Sequence, residues 1–233
     1  MIKRKSLGQH FLKSHSIANL IASEAKITNS DTVLEIGTGL GMLTPLLCNK
    51  AKLVISIDSD ENLYNTAKSN LQGIYNLVLK LGDGFKSTDK FDIFVSNLPY
   101  SKSKKAIEWL AQKDFYHGII MVQKEFADKL FASGGERRAI SIIANHTLEI
   151  QIISAVAKGN FNPPPKVDSV ILKIIKKQTL SKQLIETVNK IFSYRRKTLQ
   201  NIFKQFDKNT TIQKRLDDLS SEEIVQIAKD LTR

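Results

Sequence analysis

Glu35-Ile36-Gly37-Thr38-Gly39-Leu40-Gly41 closes a short apolar run that begins at Asp31, and an apolar helix start follows it. A strand, a glycine turn and a helix N-terminus make a nucleotide-binding edge, because glycine lets the backbone approach a ligand closely and adopt positive φ. The dinucleotide fingerprint G-x-G-x-x-G needs glycine at position 42. This chain has Met42, so a nicotinamide oxidoreductase is disfavoured.

Outward from this turn, apolar β-branched runs recur at Leu53–Asp58, Leu77–Leu81, Phe91–Ser96, Gly118–Gln123, Glu149–Val156 and Ser169–Ile175, with helix-like stretches between the earlier ones. Most read as near-continuous apolar segments, as strands buried on both faces do, and the pattern predicts an α/β sheet with helices on both faces. Pro163-Pro164-Pro165 forbids a helix before the last strand, so the final two strands are expected to be antiparallel and joined by a structured loop. After Lys177 the period changes. Leu184, Val188, Ile191, Phe192, Leu199, Ile202, Phe203 and Phe206 recur at helical spacing, and Ser220-Ser221-Glu222-Glu223 reads as a helix start. The expected division is an α/β domain at 1–177 and a small all-helical domain at 178–233.

The 233 residues carry 35 Lys and Arg against 23 Asp and Glu, a net charge of +12 that points to a polyanionic partner, nucleic acid first. Lys3, Arg4 and Lys5 form a basic arm; Lys102 with its neighbours Lys104 and Lys105, and Arg195-Arg196-Lys197, each lie beside a tyrosine, the composition that grips phosphates and stacks bases. No segment approaches a membrane span of roughly 20 apolar residues. Ser6-Leu7-Gly8-Gln9-His10 stands where a signal peptide would need its apolar run, and the single Cys48 makes no internal disulfide, so the expected location is the cytoplasm.

The glycine turn, as E-x-G-x-G-x-G, resembles the first motif of class I (Rossmann-like) methyltransferases, which use S-adenosylmethionine. Asp58 ends the second strand, where a carboxylate can accept both ribose hydroxyls; as a plain turn residue it would instead cap the next helix. Asp83, in Leu81-Gly82-Asp83-Gly84, is either an acceptor for an adenine amino group or an ordinary Asp-Gly turn. Asn97-Leu98-Pro99-Tyr100 follows the fourth strand and resembles the loop of enzymes that methylate exocyclic amines. An adenine N6 lone pair is delocalised into the ring. The Asn97 side-chain oxygen and the Leu98 carbonyl can each accept an N6–H and favour the pyramidal amine, with Tyr100 stacked on the base.

Lys5-Ser6-Leu7-Gly8-Gln9-His10-Phe11-Leu12, Asn97-Leu98-Pro99-Tyr100, Pro163-Pro164-Pro165-Lys166-Val167-Asp168-Ser169 and Phe192-Ser193-Tyr194-Arg195-Arg196-Lys197-Thr198-Leu199 stand in the order found in one family. The chain resembles, over essentially its whole length, the KsgA-type rRNA adenine N6,N6-dimethyltransferases of the small ribosomal subunit. The resemblance implies dimethylation of two adjacent adenosines near the 3′ end of small-subunit rRNA, by a monomer with a part in subunit biogenesis. It implies that Gln9, His10, Phe11 and Leu12 close over the cofactor, that Gly37, Gly39, Asp58, Asp83 and Asn97 contact it, and that Glu35 orders the glycine loop. Phe161 is implied as the aromatic wall opposite Tyr100, against the plainer reading of a core phenylalanine.

Two departures stand out. His10 replaces the family's asparagine; a cofactor-side contact is expected for it, although the residue alone also suits a base or a metal ligand. Arg137 and Arg138 replace a Tyr-Gly pair, and their charge suits RNA. The competing readings are an Erm-type enzyme acting on large-subunit RNA and an assembly factor whose methylation is secondary. Pro163–Ser169 and the Leu98 form of the tetrapeptide look more like the small-subunit branch.

Overall fold

The computed structural model describes residues 10–232. Gln9 and the basic residues Lys3, Arg4 and Lys5 lie outside the described residues. The chain opens with a two-residue strand β1 (Phe11–Leu12) and helix α1 (His15–Glu24), whose N-cap Ser14 accepts the Ile17 N–H. There follow β2 (Thr32–Ile36), α2 (Thr44–Cys48), β3 (Leu53–Asp58), α3 (Glu61–Asn70), β4 (Leu77–Leu81), β5 (Ile93–Ser96), α4 (Ser103–Leu110) and β6 (His117–Gln123). Then come α5 (Lys124–Leu130), α6 (Ala139–Thr147), β7 (Leu148–Val156), the short β8 (Phe161–Asn162), β9 (Ser169–Lys176), α7 (Lys182–Ser193), α8 (Leu199–Phe203) and α9 (Ser221–Thr232). Each strand read from the sequence is present within two residues of its expected start.

One seven-stranded sheet has the order β4-β3-β2-β5-β6-β9-β7. Strands β2 to β6 pair in parallel, while β9 runs antiparallel to β6. The Lys177 N–H, just past β9, bonds the Thr147 carbonyl just before β7 at 2.9 Å, as an antiparallel pair requires. Val33, Leu34 and Ile36 of β2, and Val54, Ile55 and Ile57 of β3, are all buried, so both faces of these strands are covered. On one side α1 and α2 contribute Ala18, Ile21, Leu47 and Cys48 to a core with Val33, Val54, Ile93 and Ile119. From β2 the sheet continues to β3 and β4 in one direction and to β5 and β6 in the other. That reversal opens a crevice at the carboxyl ends of β2 and β5, where ligands bind in open α/β sheets.

The chain forms two compact units. The first comprises 1–106, 114–124 and 150–176, and the second 107–113, 125–149 and 177–233. The division at residue 177 read from the sequence is where the chain enters the second unit for the last time, but that unit also takes α5 and α6. The reason is hydrophobic: Ala139, Ile142 and Ile143 of α6 are buried in one cluster with Ile185, Val188 and Ile191 of α7 and Ile224, Val225 and Ala228 of α9. Helix α9 starts with a reciprocal cap, the Glu223 N–H on Ser220 Oγ at 3.1 Å and the Ser220 N–H on Glu223 Oε2 at 2.6 Å. No described helix is long and apolar enough to cross a membrane.

Candidate active site

The crevice at the sheet reversal is a cavity of about 350 Å³ within the first unit. Its walls come from the ends of β2 to β5 and from the segment around β1. Gly37 and Gly39 have φ of +90° and +58°, a conformation that side chains rarely adopt, so the turn needs glycine there. The Gly39 N–H donates to Asp58 Oδ2 at 2.8 Å, and the Asp60 N–H donates to Asp58 Oδ1 at 2.9 Å. The cap of α3 is Asp60, not Asp58; Asp58 instead ties the glycine turn to the Asp60 backbone and faces the cavity, with acceptor lone pairs left on both oxygens.

Glu35 lies beneath the glycine turn and is 1% exposed. Its Oε2 accepts from Thr44 Oγ1 at 2.7 Å and from Ser56 Oγ at 2.6 Å, and Ser56 Oγ also lies 2.6 Å from Thr38 Oγ1 in the turn. Burial pushes its carboxyl up to about 7; the bonds from Ser56 and Thr44 act in the opposite sense, and the Asp58 charge adds to the rise. Asp83, beyond β4, accepts the Phe85 N–H at 3.0 Å and the Lys105 ammonium at 2.9 Å. Partial burial would raise this carboxyl, but the bonds from Lys105 and Phe85 outweigh it and hold it below its ordinary value.

The Asn97–Tyr100 segment forms the wall beyond β5. Asn97, Leu98 and Pro99 line the cavity, as does Lys102, which the sequence had placed with the RNA contacts. The Leu98 side chain is buried and lies against the glycine turn, where a Cβ added to Gly37 would meet it at 3.7 Å. Tyr100 is half-buried and pinned by its hydroxyl, 2.6 Å from Ser169 Oγ, the last residue of the proline-loop motif. Burial raises its phenol above the ordinary value, partly offset by the Ser169 bond.

His10, Leu12, Glu35, Gly37, Gly39, Asp58, Asp83 and Asn97 are thus brought to one cavity. Phe161 is not. It is 1% exposed and packed in the core with Leu12 and Val156. The cause is strand register: β8 pairs antiparallel with β1, Leu12 opposite Phe161 and Phe11 opposite Asn162. Opposed residues share a face, so Phe161 turns inward with Leu12. What covers the Tyr100 ring instead is His10, with centroids 5.5 Å apart and planes at 29°. Phe11, expected with the segment that closes over the cofactor, lines the cavity, and its ring edge would lie 3.7 Å from a Cβ on Gly39. The sequence reading assigned no task to Ser169, which stands inside a quoted motif, and gave Lys105 only a place in a basic cluster, with no sign of its bond to Asp83.

In the second unit, Arg195, Arg196 and Lys197 line a concavity of about 340 Å³. Arg196 and Lys197 are exposed, but Arg195 is half-buried and donates to the Arg137 carbonyl at 3.3 Å. Arg137 itself donates to the carbonyls of Gly134, Leu216 and Asp217 at 3.0, 2.9 and 3.3 Å, so this departure from the family pattern holds the unit's own loops together. No cluster of His, Cys, Asp and Glu suited to a metal ion occurs among the described residues.

The family model for ribosomal RNA adenine dimethylases matches residues 2–232. This chain belongs to that family. A ribosomal RNA small subunit methyltransferase A of Thermotoga neapolitana is 33% identical over 96% of this chain and 90% of its own. A solved dimethyladenosine transferase of Plasmodium falciparum superposes with a TM-score of 0.79 at 30% identity, covering 96% of this chain and 98% of that one. The 23S rRNA methyltransferase ErmE has a TM-score of 0.67 at 20% identity, covering 96% of this chain and all of its own, and shares the fold. Dimethylases of this family take their methyl groups from S-adenosylmethionine. The cavity fits such a molecule: its volume suits a nucleoside-sized ligand, and two carboxylates, at Asp58 and Asp83, stand at successive strand ends where hydroxyl and amino donors can reach them.

Proposed function

We propose that the protein dimethylates N6 of two adjacent adenosines near the 3′ end of small-subunit rRNA, acting on the small ribosomal subunit or its precursor as a cytoplasmic monomer with a part in subunit biogenesis. The observation that carries this reading is the meeting of Asn97, Leu98 and Pro99 with the glycine turn and Asp58 around one cavity. Bound S-adenosylmethionine supplies an activated methyl group on a sulfonium leaving group, so no strong general base is needed.

The protein's contribution is orientation. Asp58 receives the ribose hydroxyls, and its two backbone bonds hold it rigid for that task. Asp83, kept ionised by Lys105, receives the adenine amino group of the cofactor. The Asn97 side-chain oxygen and the Leu98 carbonyl each accept an N6–H of the target base, and Tyr100 stacks on it. The resemblance assigns Gln9, Lys3, Arg4 and Lys5 to closure and RNA contact, and Arg196 and Lys197 offer exposed charge for phosphates in the second unit.

The test is to incubate purified protein with isotopically labelled S-adenosylmethionine and unmethylated small subunits, then identify modified nucleosides by mass spectrometry. Labelled N6,N6-dimethyladenosine near the 3′ end is the expected product. Binding to the subunit with no label would overturn the reading in favour of an assembly factor, and label in large-subunit RNA would favour the Erm-type alternative.

A further inference from the structure

We infer that Lys105 is a positioning residue for the cofactor, fixing the Asp83 carboxylate at the adenine end of S-adenosylmethionine; this deepens the function proposed above and rests on its placement of the adenine amino group at Asp83. Lys105 stands in the first turn of α4, between Ser103 and Ala106, which are both buried and anchor the helix start. Its ammonium reaches the loop after β4 and donates to Asp83 Oδ2 at 2.9 Å. The same nitrogen lies 4.7 Å from the centroid of the Phe85 ring, close enough for a cation–π contact. Asp83 and Phe85 both line the cavity. One lysine therefore ties two cavity-lining side chains to the helix that follows the Asn97–Tyr100 segment.

Two bonds set the plane of the carboxylate. The Phe85 N–H holds Oδ1 at 3.0 Å, and Lys105 holds Oδ2. The terminal torsion of an aspartate is broad, so one bond alone leaves the other oxygen free to swing, and the ammonium removes that freedom. Each oxygen keeps a lone pair for a further donor. A ligand seated on Asp83 strips water from it, and a paired cation offsets that loss of hydration. The Lys105 and Asp83 side chains are 48% and 36% exposed, so their pairing adds little to stability and its consequence is orientation. Lys86 acts on the same carboxylate through its charge, which makes it the comparison for charge without the bond. The basic cluster suggested an RNA contact for Lys105, but its ammonium is engaged by a carboxylate and a ring.

The test is calorimetric and needs no turnover. Binding of S-adenosylhomocysteine, and of its counterpart with hydrogen in place of the 6-amino group, is measured for the wild type, Lys105→Met, Lys105→Arg and Lys86→Met. The wild type is expected to favour the amino ligand by about tenfold, as one bond to a charged group allows, and Lys105→Met to narrow that preference to about threefold or less. Lys105→Arg restores the preference, Lys86→Met leaves it in place, and unfolding temperatures move little. A preference that survives in Lys105→Met, or an equal weakening of both ligands, overturns the inference. So does an equal narrowing in Lys86→Met, which would make charge sufficient without the bond. Loss of small-subunit binding in Lys105→Met with the preference intact makes the residue an RNA contact instead. Equal wild-type affinity for the two ligands refutes the placement of the adenine at Asp83, and the inference with it. The expected preferences in a protein that transfers no methyl group refute the proposed function and keep Lys105 in this role.

Discussion

Glu35 is a carboxyl wholly enclosed beneath the turn that shapes the cavity, and replacing it by glutamine converts its titration into a measurable stability difference. Burial raises it from 4.5 to about 7, which at about 1.4 kcal/mol per pH unit amounts to a linkage of about 3 kcal/mol. The sign follows from proton counts. Between 4.5 and about 7 the folded protein holds the proton that the unfolded chain has released, so stability falls as pH rises through that window. The contribution is fully present below about 4.5 and gone above about 7. Glutamine retains an oxygen that accepts from Thr44 and Ser56 and does not titrate, so the stability gap between the two proteins must change with pH even if the substitution has a constant cost. Urea unfolding of wild type and Glu35→Gln across that pH range is the assay. The expected outcome is a wild type that loses up to about 3 kcal/mol relative to the variant from the acid to the alkaline end. A gap flat in pH would refute the assignment of a raised carboxyl to this position.

Asn97→Ala is expected to abolish methyl transfer while leaving S-adenosylmethionine affinity within about tenfold, roughly 1.4 kcal/mol, by calorimetry; normal turnover would remove Asn97 from the reaction. Phe161→Ala is expected to cost about 3–5 kcal/mol in urea unfolding, as a core aromatic does; a KM effect with stability intact would return it to the wall opposite Tyr100. Reversing charge at Arg196 and Lys197 is expected to weaken small-subunit binding and flatten its salt dependence, and an unchanged slope would make them a solvated face. Arg195→Glu is expected to lower stability as well, because that side chain bonds the Arg137 carbonyl.

The sheet was legible because its information is local. Runs such as Leu53–Asp58 and Leu77–Leu81 are dominated by apolar residues, and the structure reproduces those two to the residue. The glycine turn and the acid after it were legible for the same reason, since a turn at a strand end allows few side chains. Helix α6 was harder to allocate. Its sequence announces that it buries an apolar face, as Ile142 and Ile143 do, but not that α7 and α9 are what it buries that face against. Nothing periodic distinguishes one apolar partner from another.

The burial of Phe161 shows where a motif stops carrying geometry. A motif fixes which residues arrive near one another, and here it is accurate: the segment around β1, the Asn97 loop and the proline loop do converge. Which side chain turns outward is set by the register between two strands of two residues each, about 150 positions apart in the chain. With a period of two, a slip of one residue would bring Phe161 out to the surface and bury Asn162 in its place. The core resolves that choice, because burying Phe161 beside Leu12 removes an aromatic side chain from water, whereas burying an asparagine without partners costs free energy. The pairing that sets Leu12 against Phe161 therefore decides where this aromatic side chain goes, and no motif spacing records it.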